Sequence, residues 1–401
     1  MENNIIELIS LGSQVHWGVA IPQYFFLTGI SAAAFLLSSL TYVFNDKRYE
    51  AIAGLALIVA FTVLLVAPLN LIADLAQPGR FYSLFFNLHA TSPMSWGVFL
   101  LTSYPLLILA EMLFIFRAGF ARRAARAEGA LKRLYLFLAL NSPEVTEASK
   151  ERDHRLGRTL GIIGIPTALA VHGYTGYILG VVKANSLWHT PLMPLIFLIS
   201  AMVSGIAFMI LLNAIMVRNE QGQISWRLME LLGILLAWSI VGDLLLRLFW
   251  YSIGLFYSTA SFQDVSALLF EHHFFESVVL ELGLCLTLPL LVMSVPGLRR
   301  IKPLFLLAAI LAVAGVMLFR WDTVIGGQLL PKTGAGFYSY LPPFWGRVGI
   351  MHIVGNWGLW IFLFMACTSF CPWRKNDQDH TAIGIEETAG STALSSKGAL
   401  S

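Results

Sequence analysis

Charge is scarce in this chain. Acidic and basic side chains make up 12% of its 401 residues and hydrophobic ones 57%, whereas soluble domains carry about 25% charged residues. That balance excludes an ordinary soluble globular protein, and nothing in it suits nucleic acid. Cysteine is almost absent: Cys285, Cys367 and Cys371 are too few and too scattered for a disulfide framework, and the last two read as packing residues. No Cys-x-x-Cys-His occurs, which excludes covalent haem attachment by that motif. The first ten residues carry Glu2 and Glu7 but no basic residue, so a removable signal peptide is not expected.

What the chain has is apolar length. Nine stretches are long and apolar enough to cross a bilayer as helices: 18–44, 51–73, 97–116, 159–182, 191–217, 228–257, 274–294, 304–320 and 349–370. The expected fold class is all-α, a polytopic helical membrane protein. Its integral membrane domain covers 1–374, with a long basic loop over 117–158. A polar Ala/Ser/Gly-rich tail over 375–401 is expected to be disordered. Within the loop, Leu131, Leu134, Tyr135 and Leu138 repeat at the spacing of an interfacial helix. Ser142-Pro143-Glu144 reads as the cap and first turn of the next helix. The segment 321–348, rich in Gly, Pro, Tyr and Trp, is expected to lie outside the membrane and to be ordered.

Basic residues set the orientation. Alternating loops place twenty of the 26 Lys and Arg on the side of the 117–158 loop, against Arg80, Lys183, Arg320, Lys332 and Arg347 on the other. By the positive-inside rule the richer side is cytoplasmic. The N-terminus is then periplasmic, the tail cytoplasmic, and the basic loop rests on anionic membrane lipid.

The chemistry collects on the poorer side. Asp74-Leu75-Ala76-Gln77-Pro78-Gly79-Arg80 puts two opposite charges where hydrocarbon gives way to headgroups, and ionisable residues at that depth are functional candidates by default. The plainer reading is a helix end, stopped by Pro78 and Gly79, with Arg80 snorkelling to water. His16 and Trp17 stand at the same face, as do His172, Tyr174 and Thr175, followed by Asn185, Trp188 and His189. A quinone headgroup asks for such a set: donors and acceptors for two oxygens, aromatic walls for a flat ring, and a base for its protons. Each residue also has an ordinary role open to it. His16 suits an interface beside Trp17, Tyr174 a packed aromatic, and His172 a helix-to-helix hydrogen bond.

Several strings in order carry a resemblance. Trp17-Gly18, Gln23-Tyr24-Phe25-Phe26-Leu27-Thr28-Gly29, the 74–80 run, Ser92-Pro93-Met94-Ser95-Trp96-Gly97 and His172-Gly173-Tyr174-Thr175-Gly176 resemble the NrfD/PsrC family, the quinone-reactive membrane subunits of respiratory oxidoreductases. Arg320-Trp321-Asp322, Gly326-Gly327-Gln328 and Gly334-Ala335-Gly336 resemble its longer branch, which includes the HybB and DsrP subunits. The resemblance implies NrfD-like helical bundles in the inner membrane and bound menaquinone or ubiquinone, with no haem and no metal in the subunit itself. It also implies an extracytoplasmic iron–sulfur, ferredoxin-like partner within a larger redox complex. By position the family's quinone-site histidine falls on His16, its acid and arginine on Asp74 and Arg80, and its tyrosine on Tyr174; His172, Thr175 and Trp188 stand with them.

A second set of charges lies deeper: Asp243 and Arg247 one turn apart, Glu276 and Glu281 in the following span, and Glu111 in the third. An Asp-to-Arg pair at i, i+4 neutralises itself, and the sharper reading of Asp243, Arg247, Glu276 and Glu281 is a proton path. Two other functions stay open. A membrane cytochrome b needs two histidines at one depth on facing helices, and only His172 of nine is clearly inside a span. A secondary transporter would use interrupted helices, for which Pro166 and Pro289 are candidates.

Overall fold

The computed structural model describes residues 15–89, 91–217, 223–256, 260–330, 337 and 339–374. Among them nine helices are long and apolar enough to cross a membrane, as the fold expectation requires. They are α1 (Ala20–Tyr42), α2 (Glu50–Asp74), α3 (Pro93–Arg126), α4 (Glu147–Gly180), α5 (Met193–Met216), α6 (Trp226–Gly254), α7 (Phe275–Ser294), α8 (Lys302–Leu329) and α9 (Ile350–Phe370). The expected tail, 375–401, lies outside the described residues.

Helix α1 is apolar on every side, the pattern of a helix enclosed by others, and nearly all of it is buried. It packs on α2, α4 and α5, while α3 closes against α4 and α2. Helices α5 to α8 form a second group, joined to the first where α5 and α8 meet α1. Helix α9 comes back to α2, and Asn356 Nδ2 donates to Asn70 Oδ1 at 2.8 Å across that contact.

The structure corrects three boundaries. The loop expected over 117–158 is mostly helix, because α3 runs on to Arg126 and α4 starts at Glu147. The expected interfacial helix lies between them, at Gly129–Leu138. The cap of α4 is Thr146, not Ser142: its hydroxyl accepts from the Ser149 N–H, and Ser149 Oγ accepts from the Thr146 N–H. Ser142 and Glu144 have other work, since both carbonyls accept from the buried Arg117 guanidinium at 3.3 Å. Thirdly, α8 continues past 320 through a π-helical turn, Asp322–Gly326, to Leu329. Arg320, expected at the outer end of the span, is therefore wholly buried inside it.

Arg117 also pairs with Asp153 and donates to Ser149 Oγ at 2.8 Å, which fastens α3 to the first turns of α4. Removing one partner of a buried pair strands the other charge. Arg117→Ala should therefore cost about 3 kcal/mol, read as a lower unfolding midpoint in detergent. Lys132→Ala, an exposed control on the interfacial helix, should leave that midpoint unchanged.

Candidate functional site

Three segments meet at the face where α1 begins. The Trp17 N–H donates to Gln328 Oε1 at 2.9 Å, and Gln328 Nε2 returns a bond to the Trp17 carbonyl at 3.1 Å. The Trp17 and Trp188 rings stack at 5.4 Å. Trp188 Nε1 donates to the Thr323 carbonyl at 2.5 Å, and Asn185 Nδ2 to the Gly327 carbonyl at 2.7 Å. The start of α1, the loop after α4 and the end of α8 are thus sewn into one roof. Trp188 serves as a pin in it: one ring face is taken by Trp17, and Gly327 lies directly against its indole nitrogen.

Asp74 ends α2 beneath this roof. It is half-buried, and the Gly18 N–H donates to its carboxylate. Tyr340 covers the same spot, with its hydroxyl accepting from the Val19 N–H. Burial raises the Tyr340 phenol above its usual range, the Val19 bond opposes that, and the nearby Asp74 charge adds to the rise. Arg80 does not join the acid. Among the described residues no ion pair links Asp74 to Arg80, because Pro78–Arg80 forms a separate 3-10 turn with Arg80 exposed. His16 is exposed on the approach to α1.

Deeper on the same face, Tyr174 of α4 is buried, and its hydroxyl accepts from the Gly97 N–H of α3. A side chain at position 97 would collide with that phenol, so the Trp96-Gly97 and Gly173-Tyr174 strings are two halves of one contact. Tyr24 of α1 lies close enough for the two phenols to influence each other, and its buried hydroxyl has no hydrogen-bond partner. Next to it, Gln23 Nε2 donates to the Ile353 carbonyl at 3.4 Å while Oε1 stays unpaired. A chain of amides continues from there, with His352 Nε2 2.9 Å from Asn356 Nδ2 and Asn356 bonded to Asn70.

An open pocket of about 610 Å³ lies on the outer side of the α3 start, lined by Leu88, His89, Ser95, Trp96, Phe99 and Leu100. Its volume and mainly apolar wall suit a small flat ligand. Trp96 also stacks on Tyr177 of α4 at 6.0 Å, so the pocket wall and the Tyr174 contact share the same two helices.

Two residues expected at this site face elsewhere. His172 is fully buried, with Nε2 2.8 Å from the Phe197 carbonyl and 3.3 Å from Arg320 Nη2. The Thr175 hydroxyl donates to the His172 carbonyl at 2.5 Å. His172 looks toward α5 and α8, which fits its helix-to-helix reading, while Thr175 bonds back onto its own helix.

That inner region holds the second set of charges. Arg247 pairs with Asp243 at 2.9 Å and with Glu281, and its guanidinium lies 3.8 Å from the Phe319 ring centre. Arg320 donates to Ser200 Oγ at 2.7 Å and the Phe197 carbonyl at 3.0 Å. The structure gathers Asp243, Arg247 and Glu281 but leaves Glu276 exposed, apart from them. Sequence reasoning missed Arg320 as a member of this group. The clue was present, since Arg320-Trp321-Asp322 continues an apolar run without a turn residue. Gln23, Tyr24 and His89 were also missed as site candidates, hidden by apolar neighbours. Among the described residues no three His, Cys, Asp or Glu stand close enough together to hold a metal ion.

The chain is 36% identical to the C subunit of selenate reductase from Mesobacillus selenatarsenatis, over 94% of its own length and 91% of that protein's. It is 26% identical to the C chain of polysulfide reductase from Wolinella succinogenes, over 78% of this protein and 94% of that one. It is 23% identical to the menaquinone reductase integral membrane subunit of Nitratidesulfovibrio vulgaris, over 80% and 74%. The profile of the family described as polysulphide reductase, NrfD matches residues 7–332, and the chain belongs to that family.

Proposed function

We propose that this multi-pass membrane protein is the quinone-reactive anchor of a respiratory oxidoreductase. It exchanges electrons between membrane quinol or quinone and an iron–sulfur subunit docked on the face where α1 begins. The observation that carries this reading is a half-buried acid and unused buried hydrogen-bonding atoms near the start of α1, with an open apolar pocket at the start of α3. Asp74 supplies the acid, Tyr24 Oη and Gln23 Oε1 the unused atoms, and Trp96 and Phe99 the aromatic wall. Buried polar atoms are nearly always satisfied in folded proteins, so an unpaired hydroxyl and amide oxygen within one turn of α1 mark places for a ligand's polar groups.

A bound quinol supplies two electrons and two protons. In this reading Asp74 accepts a proton, held in place by the Gly18 N–H, while Tyr174 and Tyr24 orient the headgroup oxygens. Arg80 and His16 stand exposed at the mouth, where they guide an anionic or polar group without fixing Asp74. Trp188, His172 and Thr175 act as positioning residues that hold α4 and the roof. Electrons leave toward the roof, so the partner and further redox subunits bind over the 74–96 segment, the 183–190 loop and the aromatic residues Tyr340 and Trp345.

Extraction of the purified chain should yield a stoichiometric menaquinone or ubiquinone, identified by mass. Its reduced-minus-oxidised visible spectrum should lack a b-type haem band. A stoichiometric haem would favour the cytochrome reading, and net solute uptake by liposomes holding the chain alone would favour a transporter.

The positive-inside count supports a roof outside the cytoplasm of an inner-membrane protein. In a background without the native cysteines, Thr91→Cys and Ser339→Cys should react with an impermeant thiol reagent in whole spheroplasts, and Lys132→Cys should not. All three positions are exposed. Labelling confined to position 132 would invert the topology and move the electron partner to the cytoplasm.

A further inference from the structure

We propose that Glu281 and Asp322 share one exchangeable proton, forming a proton-binding site between α7 and α8 that is separate from the quinone pocket. Four charges are buried together here: Asp243 and Arg247 on α6, Glu281 on α7 and Arg320 on α8. Guanidinium groups keep their charge in proteins, so two acids and two bases balance. Asp322 is the fifth charge and upsets that balance. It is half-buried, and Ser277 Oγ donates to it at 3.0 Å. No guanidinium pairs with it among the described residues.

The Asp322 and Glu281 carboxyls stand within hydrogen-bond reach of each other. Two ionised carboxylates repel at such a distance in a poorly solvated site, and the contact holds when one of them carries the proton. A second observation is independent of the acids. Arg320 leaves Nε and Nη1 without an acceptor, and Asp243 leaves Oδ1 without a donor, all fully buried. The region thus has hydrogen-bonding capacity that the chain itself does not use.

The backbone is built around the pair. Ser277 and Glu281 lie on a π-helical stretch, Phe275–Thr287, and Asp322 opens the π-helical turn Asp322–Gly326. Such widened turns occur mostly at functional sites. The groups facing the pair are Asp243, Arg247 and Tyr251 from α6, Ser277 and Glu276 from the start of α7, His273 just before it, and Arg320 from the helix of Asp322. Exchange runs through Asp322, the half-buried member, toward exposed Glu276 at the membrane edge. The event is a proton transfer alone: one carboxyl O–H bond breaks and a new one forms on water or on the Glu276 carboxylate. Through Arg320 the site touches His172, two residues from Tyr174 on α4. Its use in quinone chemistry rests on the reading above; its proton does not.

The test is carbon-13 carboxyl spectroscopy of the full chain in lipid nanodiscs near neutral pH, without quinone. The wild type should show a protonated carboxyl that exchanges with deuterated water and is assigned to Glu281 or Asp322. Glu281→Gln and Asp322→Asn should each remove it, and Glu276→Gln should keep it. Glu111, fully buried with both oxygens unpaired, is assigned separately through Glu111→Gln. If the first two variants do not fold, the assigned wild-type spectrum decides alone. Both carboxyls ionised in the wild type would overturn the proposal, as would displacement of the signal by sodium at constant pH. Absence of bound quinone from the purified chain would count against the proposed function and leave the proton site intact.

Discussion

Asp74→Asn should reduce quinol-linked electron transfer by about 100-fold or more, the scale of losing a positioned general base, while the complex still assembles. Asparagine has nearly the same shape, and its side-chain oxygen can still accept from the Gly18 N–H that holds Asp74. What it cannot do is take a proton. The neighbouring Tyr340 stays in place, since its hydroxyl bond is to the Val19 backbone. Assembly, unfolding midpoint and quinone content should therefore match the wild type while turnover with a quinol analogue collapses. Arg80→Ala should have a milder effect, because Arg80 is exposed and makes no ion pair with Asp74 among the described residues. Turnover of Asp74→Asn near the wild-type rate would reduce Asp74 to a helix-end charge. The equal loss of activity in both variants would instead restore Arg80 as its partner.

The number of spans and the side on which polar residues gather were legible because both follow from local composition. A run of some 20 apolar residues is a helix in a bilayer whatever its neighbours are, and charges within it stand out. Helix ends were less legible. Helix α4 starts well before its apolar part, with Glu147 and a Thr146–Ser149 capping box, because polar residues form helix as readily as apolar ones once outside the hydrocarbon. The direction in which a side chain points was least legible. His172 and Tyr174 stand two apart in one motif, yet one bonds toward Arg320 and the other meets Gly97. Two residues on a helix are about 200° apart, so they were bound to face different neighbours. Tyr24 and Gln23 carried part of the family resemblance but no sign of a site role, since an unpaired buried atom is visible only once everything around it is placed.

Arg247→Ala should leave little or no folded protein in the membrane, the largest structural effect expected of any single substitution here. Arg247 is the shared partner of Asp243 and Glu281, and all three side chains are almost completely shielded from solvent. Breaking one buried pair typically costs about 3–5 kcal/mol, and this change breaks two at once. The total is comparable with the whole stability of many domains, about 5–15 kcal/mol. The aromatic face of Phe319, 3.8 Å from the guanidinium, would lose its cation as well. Arg320 pairs with neither acid among the described residues, and its Nη2 is held by Ser200 and the Phe197 carbonyl. Arg247→Lys should recover part of the folded yield by supplying a charge to one acid, but a single ammonium lacks the planar fork that spans two carboxylates. The decisive comparison is the triple variant Asp243→Asn/Arg247→Met/Glu281→Gln, which removes all three charges together. Its folded yield should exceed that of Arg247→Ala, because the penalty comes from stranded carboxylates and not from the missing side chain. If Arg247→Ala alone accumulates at wild-type levels with an unchanged unfolding midpoint, the ion pairs contribute nothing to the fold. The two acids would then have to be neutral in the native protein.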